Sequence, residues 1–163
     1  MKKKIIYIVV AVLMLSLTFS LTACTAEKVF EKSGIKITAT SEFYEKDILS
    51  MTIYLESRDK IITGVKETPN ASFPISRTLR QYTELVLNTN NMNGLEISVY
   101  DEDGITFEYF EYEKEVSGKN FKYLGVTMKS DSYFYLFNFA SENSKFEGFK
   151  SQFMDWAKLI EIE

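Results

Sequence analysis

The 163-residue chain contains no histidine and only one cysteine, Cys24. Without imidazole, and with a single thiol, it cannot build a Ser-His-Asp triad, a Cys-His pair or the usual zinc sites. Only carboxylate or Ser/Lys chemistry remains open to it. Proline and glycine are also scarce, at 2 and 7 residues. No Pro/Gly-rich linker, internal repeat or low-complexity tract divides the sequence, so one domain with one core is expected. The carboxylates do not form an obvious pair either. Glu108, Glu111, Glu113 and Glu115 are close enough in sequence to suggest a glycosidase, which needs two carboxyl groups about 5 to 9.5 Å apart. Yet Glu111, Glu113 and Glu115 alternate along one strand as a solvated row would. The "DEDG" run, Asp101 to Gly104, lacks the alternate acids and closing glutamate of a calcium loop and reads as a hairpin turn. No catalytic, metal or cofactor residue is therefore assigned, and the chain is not expected to be an enzyme.

What the sequence does have begins at its first residue. "MKKK" is a positive n-region and Ile5 to Leu17 an apolar h-region of secretory length, followed by small residues. Leu21-Thr22-Ala23-Cys24 closes that segment. An uncleaved membrane anchor would need the 19 residues from Ile5 to Ala23, but Ser16, Thr18, Ser20 and Thr22 dilute its second half. A free thiol in an exported protein would imply pairing between chains. Lipidation accounts for the cysteine best, because Leu21 to Cys24 resembles the lipobox of bacterial lipoproteins. There the sulfur receives a diacylglyceryl group and the chain is cut before it. A lipid with two acyl chains meets the requirement for stable anchoring. The resulting division is a signal peptide over 1–23, a lipidated cysteine and tether over 24–29, and a single domain over 30–163. The expected location is the extracytoplasmic face of a bacterial cell membrane.

Removing residues 1–23 leaves 16 basic and 23 acidic side chains, a formal charge of −7. An acidic surface is repelled by nucleic acid and by anionic headgroups, so charge attraction draws it to neither. The five residues Thr25 to Val29 reach at most about 18 Å when extended, which keeps the folded part close to the bilayer.

Along that folded part, Ile35 and Ile37 alternate with Lys36 and Thr38 in strand fashion. Leu49 to Ser57 and Lys60 to Glu67 form a hairpin about Arg58-Asp59. After Pro74 the period changes: Ile75, Leu79, Tyr82 and Val86 share one helix face from Ser76, a candidate cap, to Asn90. "NNMNG", Asn90 to Gly94, supplies the stop. Four strands follow, at 95–100, 105–116, 121–129 and 132–140, divided by "DEDG", "SGKN" and "KSDS". A Gly118-Lys119 loop would set Glu115 against Lys122, Tyr112 against Gly125 and Glu108 against Lys129. Phe110, Tyr112, Val116, Phe121 and Tyr123 would then share a buried face. Tyr133, Tyr135, Phe137 and Phe139 alternate with Phe134 and Leu136, which marks a central strand covered on both sides. A last helix follows Ser144, with "SKFE" as a capping box closed by Glu147. Its stripe is Phe146, Phe149, Phe153, Trp156, Ala157 and Ile160, with Trp156 expected against the strand from Tyr133 to Phe139. Two amphipathic helices and a two-sided sheet indicate an α+β fold, an α/β/α sandwich on a central antiparallel sheet.

This order of elements resembles the PsbP-like superfamily: "GIKITATSEFYE", a hairpin ending "ITGVKE", the helix "SRTLRQYTELVLN", an aromatic meander and the terminal helix "FKSQFMDWAKLIEI". The resemblance covers most of residues 30 to 162 and implies a non-catalytic binding scaffold, with no family site residue to carry over. Two roles fit. One is a monomeric accessory lipoprotein that binds a protein partner at or near the membrane. The other is a small-ligand or glycan binder associated with a membrane transporter. An exposed apolar patch or sheet edge favours the first, and a concave pocket lined by tyrosine favours the second.

Overall fold

The computed structural model describes residues 26–163; the predicted signal peptide and Cys24 lie outside them. Among the described residues, ten strands and two helices occur in the order β1 (Glu27–Lys32), β2 (Ile35–Thr40), β3 (Tyr44–Glu45), β4 (Ile53–Glu56), β5 (Lys60–Glu67), α1 (Leu79–Thr89), β6 (Ser98–Glu102), β7 (Ile105–Val116), β8 (Lys119–Lys129), β9 (Phe134–Glu142), α2 (Asn143–Lys158) and β10 (Glu161–Ile162). A seven-stranded antiparallel sheet runs β3-β4-β5-β9-β8-β7-β6, and a three-stranded sheet runs β1-β2-β10. Strand β9 lies at the centre of the larger sheet, as its two-sided apolar pattern predicts. Tyr135, Phe137 and Phe139 enter one core, while Phe134 and Leu136 face the other.

The first of these cores is closed by α2 and by the small sheet. It joins Phe30, Ile35 and Ile37 to Leu55, Ile62, Phe107 and Leu124, and to Phe146, Phe153, Trp156 and Ala157 of α2. The stripe predicted for the last helix is therefore buried, with Phe149 only partly so. Trp156 is 6% exposed, and its ring meets Phe43 edge-on at 5.4 Å and Phe153 at 5.9 Å. Its link to the aromatic strand runs through Phe153, which lies 5.8 Å from Phe139. The second core is smaller: α1 lays Tyr82, Val86 and Leu87 over Phe110 and Phe134.

Several boundaries differ from the sequence expectation. Strand β1 begins at Glu27 and pairs with β2 from Glu27↔Thr40 to Lys32↔Ile35, so Glu27 to Val29, expected in the tether, belong to the domain. The pattern was faint because Phe30 alone is buried on this edge strand. Strand β10, at two residues, is too short to have a readable period. Residues 49–52 stay outside β4, with Met51 N–H turning back to the Ile48 carbonyl at 3.0 Å.

Helix α1 is capped by Thr78 and not by Ser76. The Thr78 hydroxyl accepts from Gln81 N–H at 3.2 Å, and the Gln81 side chain accepts from Thr78 N–H at 3.0 Å. At its other end, Asn91 takes φ 57°, Met92 N–H reaches the Leu87 carbonyl and Asn91 N–H the Asn88 carbonyl. This is a Schellman ending with asparagine in the left-handed position. The capping box predicted at Ser144 does not form, because β9 runs directly into α2 and Ser144 is already inside the helix. Glu147 bonds Lys122 instead, at 2.7 Å.

The β7–β8 register also moves. Ser117 and Gly118, at φ 52° and 79°, form the two-residue turn, and Val116 pairs with Lys119. Glu113 then opposes Lys122, Tyr112 opposes Tyr123, Phe110 opposes Gly125 and Glu108 opposes Thr127. A shift of two residues keeps every side chain on its predicted face, which is why the face assignment survives the error. Gly125 explains the observed register: a Cβ there would lie 2.5 Å from Cε2 of Phe110, whose ring occupies that space.

Candidate functional site

Helix α1 has 11 residues, about 16 Å of helix, and it covers only part of its sheet face. At its N-terminal end the contact is tight. The Thr83 and Thr127 hydroxyls lie 2.6 Å apart in a buried position, and Tyr82 stacks on Phe134 at 4.7 Å. Burial pushes the Tyr82 phenol well above its ordinary range. Glu108, one of the four carboxylates singled out from the sequence, is 6% exposed there, with Oε1 3.1 Å from Arg80 Nε and Oε2 without a hydrogen-bond partner.

The other three carboxylates do not join it. Alternation along β7 turns Glu111 to the opposite face, where it binds Lys150 at 2.5 Å and Lys122 at 2.9 Å. Burial alone would raise the Glu111 carboxyl, but Lys150 and Lys122 outweigh it and hold the group below its ordinary range. Glu113 and Glu115 are exposed. Asp101 to Gly104 form the β6–β7 turn, with Asp103 at φ 55° and Gly104 at 77°. Among the described residues, no cluster of three or more Asp, Glu or Cys is placed to hold a metal ion.

Beyond the C-terminal end of α1 the sheet is uncovered, and a groove of about 470 Å³ opens there. Val65, Val86, Phe110 and Leu136 give it apolar walls, and Met51 and Met92 flank them. Its polar groups come from β7 and β9. The Tyr112 hydroxyl donates to Asn138 Oδ1 at 3.0 Å, and Asn138 Nδ2 donates to Thr63 Oγ1 at 3.4 Å. The Tyr112 ring stacks on Tyr123 at 4.7 Å and 8°. Burial raises both phenols, so they remain neutral hydrogen-bonding groups at physiological pH. Lys114 also lines the groove and, among the described residues, is paired with no carboxylate.

The predicted buried face therefore splits. Phe110 is buried, Tyr112, Phe121 and Tyr123 are half-buried, and Val116 is 41% exposed. The reason is the length of α1, which ends before it reaches them. In the sequence Asn138 shows only as a lone amide inside "FYLFNFA", the one sign there of a polar group on this face.

A broader depression of about 760 Å³ lies among Lys119, Asn120, Glu142, Asn143 and Ser144. It is open and wholly polar in its side chains, so it lacks the enclosed apolar floor that fixes a ligand. Among the described residues no helix is long and apolar enough to cross a membrane.

No known protein family matches the sequence, and no curated protein does. Solved structures do resemble it. The cyanobacterial PsbP (CyanoP) from Synechocystis sp. PCC 6803 superposes with a TM-score of 0.62 at 12% identity, over 90% of this chain and 98% of that one. A chain from Bacteroides thetaiotaomicron VPI-5482 superposes with a TM-score of 0.56 at 15% identity, over 83% of this chain and 48% of that one. The present chain thus spans about half the length of the Bacteroides chain. The protein has a PsbP-like α+β fold, with an antiparallel sheet and two helices.

Proposed function

We propose that the protein is a non-catalytic accessory lipoprotein, anchored through Cys24 on the extracytoplasmic face of a bacterial membrane, which holds a protein partner in the groove beside α1. The groove is the observation that carries this reading. Apolar walls with a few oriented polar groups suit one apolar side chain of a partner, the arrangement on which protein interfaces concentrate their binding energy. A histidine-free chain whose Glu108 and Glu111 face opposite ways supports the non-catalytic part.

The stacked Tyr112 and Tyr123 beside the Asn138 amide favour a second reading, in which the groove takes a small ligand or a glycan for a membrane transporter. Tyr112→Ala separates both readings from a structural role. Wild type should capture its partner from membranes, and the variant should lose at least about tenfold of that affinity, or about 1.4 kcal/mol, with its melting temperature nearly kept. A soluble sugar or metabolite that competes for the wild-type groove would select the second reading. Capture unchanged in Tyr112→Ala removes the groove from both. The anchor has its own test: Cys24→Ala should leave the precursor uncut and free of radiolabelled palmitate, and label on that variant would overturn it.

A further inference from the structure

The path of the chain into the domain fixes which end of the molecule lies nearest an anchor at Cys24. Ala26 C=O accepts Ser41 N–H at 2.7 Å, and Glu27 pairs with Thr40. Next along the chain, Glu42 binds Lys60 at 2.8 Å. Lys60 opens β5 and pairs with Ser141 near the end of β9, while the adjacent Asp59 binds Lys145 at 2.5 Å. The Ser117-Gly118 turn belongs to the same end, because Lys119 binds Glu142 at 3.1 Å. Cys24 stands only three residues before Glu27, a reach of at most about 11 Å. A domain held this closely stands on the bilayer with this end down.

The uncovered half of the sheet face is at the same end. Helix α1 lays its Tyr82 over Phe134, toward the opposite strand ends, and stops short of the half that carries Val116, Phe121, Tyr123 and Tyr54. A depression of about 150 Å³ joins Phe121 to the Arg58–Asp59 turn and to Lys119. Tyrosine and phenylalanine rimmed by ion pairs, Lys119 with Glu142, Lys46 with Glu56 and Lys145 with Asp59, form an amphipathic surface without strong net charge that suits headgroup depth, where rings bury their bodies and keep their polar tips wet.

We infer that this lower half of the sheet, around Val116, Phe121 and Tyr123, rests in the headgroup layer of the bilayer that carries the protein's own anchor. The inference rests on the proposed lipidation of Cys24. It sets the groove beside α1 just above the headgroups, open sideways to neighbours on the same membrane. Because the mature chain is acidic, with 16 basic and 23 acidic side chains, the contact is driven by the rings and the tether and not by anionic lipid. It should therefore survive high salt and need only zwitterionic lipid.

The test uses the full chain, processed in membranes and moved into nanodiscs of phosphatidylcholine. Val116→Cys is labelled with an environment-sensitive dye, as is Leu49→Cys, a fully exposed site at 107% in the loop between β3 and β4. The Val116 label should emit to the blue and be quenched severalfold more by headgroup spin-labelled lipid than the Leu49 label, in low and high salt alike. Inserting a twelve-residue Gly/Ser segment between Ala26 and Glu27 should weaken that quenching. Equal, water-like emission at both sites would overturn the inference, as would stronger quenching at Leu49. Protection at Val116 in native membranes but not in pure-lipid nanodiscs would also overturn it, because the occupant would then be a protein. Dye on the unsubstituted chain would show a free Cys24 sulfur, which is failure of the lipidation and not of the orientation.

Discussion

The two faces of the central sheet are made by the same strands yet closed to different depths. On one, the 16 residues of α2 and the small sheet seal a continuous core that includes Phe137, Phe139, Phe146 and Phe153. On the other, the 11 residues of α1 seal only Tyr82, Val86, Leu87, Phe110 and Phe134. The closed face buries the apolar area from which stability comes. The half-closed face gives up part of that area and keeps an open groove, with a stacked tyrosine pair and an oriented amide. Stability thus rests mainly on one side of the sheet, and the proposed recognition on the other.

The sharpest break in this contrast is Phe153→Ala. Its ring touches Phe139, Phe146, Phe149 and Trp156 with no exposure, so truncation should cost about 3 to 5 kcal/mol. A domain of this size has only about 5 to 15 kcal/mol in total, so the urea midpoint should fall steeply. A loss below about 1 kcal/mol would mean that α2 is not the main seal.

A matched pair of glycine substitutions sharpens the comparison. A Cβ at Gly64 would press on Ile53 at 2.7 Å and Phe137 at 2.9 Å in the closed face, whereas one at Gly125 would press on Phe110 at 2.5 Å beside the groove. Each alanine should cost about 1 to 3 kcal/mol. Only Gly125→Ala should also weaken partner capture, because displacing Phe110 reshapes the groove. Equal effects of both variants on capture would erase the distinction between the faces.

The smallest effect concerns pH. Glu111, tied to α2 through Lys150 and to β8 through Lys122, has a lowered carboxyl pKa. A carboxylate lowered by folding adds stability above its unfolded value of about 4.3, and that contribution is lost as pH falls through the lower folded value. These partly solvated pairs are worth no more than about 1 kcal/mol. Glu111→Gln should therefore destabilise slightly at pH 7 and flatten the acid limb of a melting-temperature profile. An unchanged slope below pH 4.5 would remove the pair from the account.

Much of the fold is legible in the sequence. The alternation of Tyr135, Phe137 and Phe139 with Phe134 and Leu136 named the central strand, and the spacing of Phe146, Phe153, Trp156 and Ala157 named the sealing helix. Both are dense, local patterns repeated over several turns or pleats. Thr78 as the cap of α1 and the Ser117-Gly118 turn were missed, because Ser76 and Gly118-Lys119 are equally good local chemistry. The choice fell to packing, in the second case to the Phe110 ring over Gly125. The groove was less legible still: Tyr112 was placed on its face but expected to be buried, and Asn138 was hidden in an apolar run.

Which way each strand residue points was determined by the sequence alone, since a period of two is written into neighbouring positions and survives even a two-residue register error. Whether a residue so pointed is covered was decided only in three dimensions. Tyr112 and Phe134 share a face, but coverage depends on where an 11-residue helix ends against a sheet seven strands wide. The order of those strands is set by pairings such as Gly64 with Phe137, far apart in the chain, and no local period records contacts at that separation.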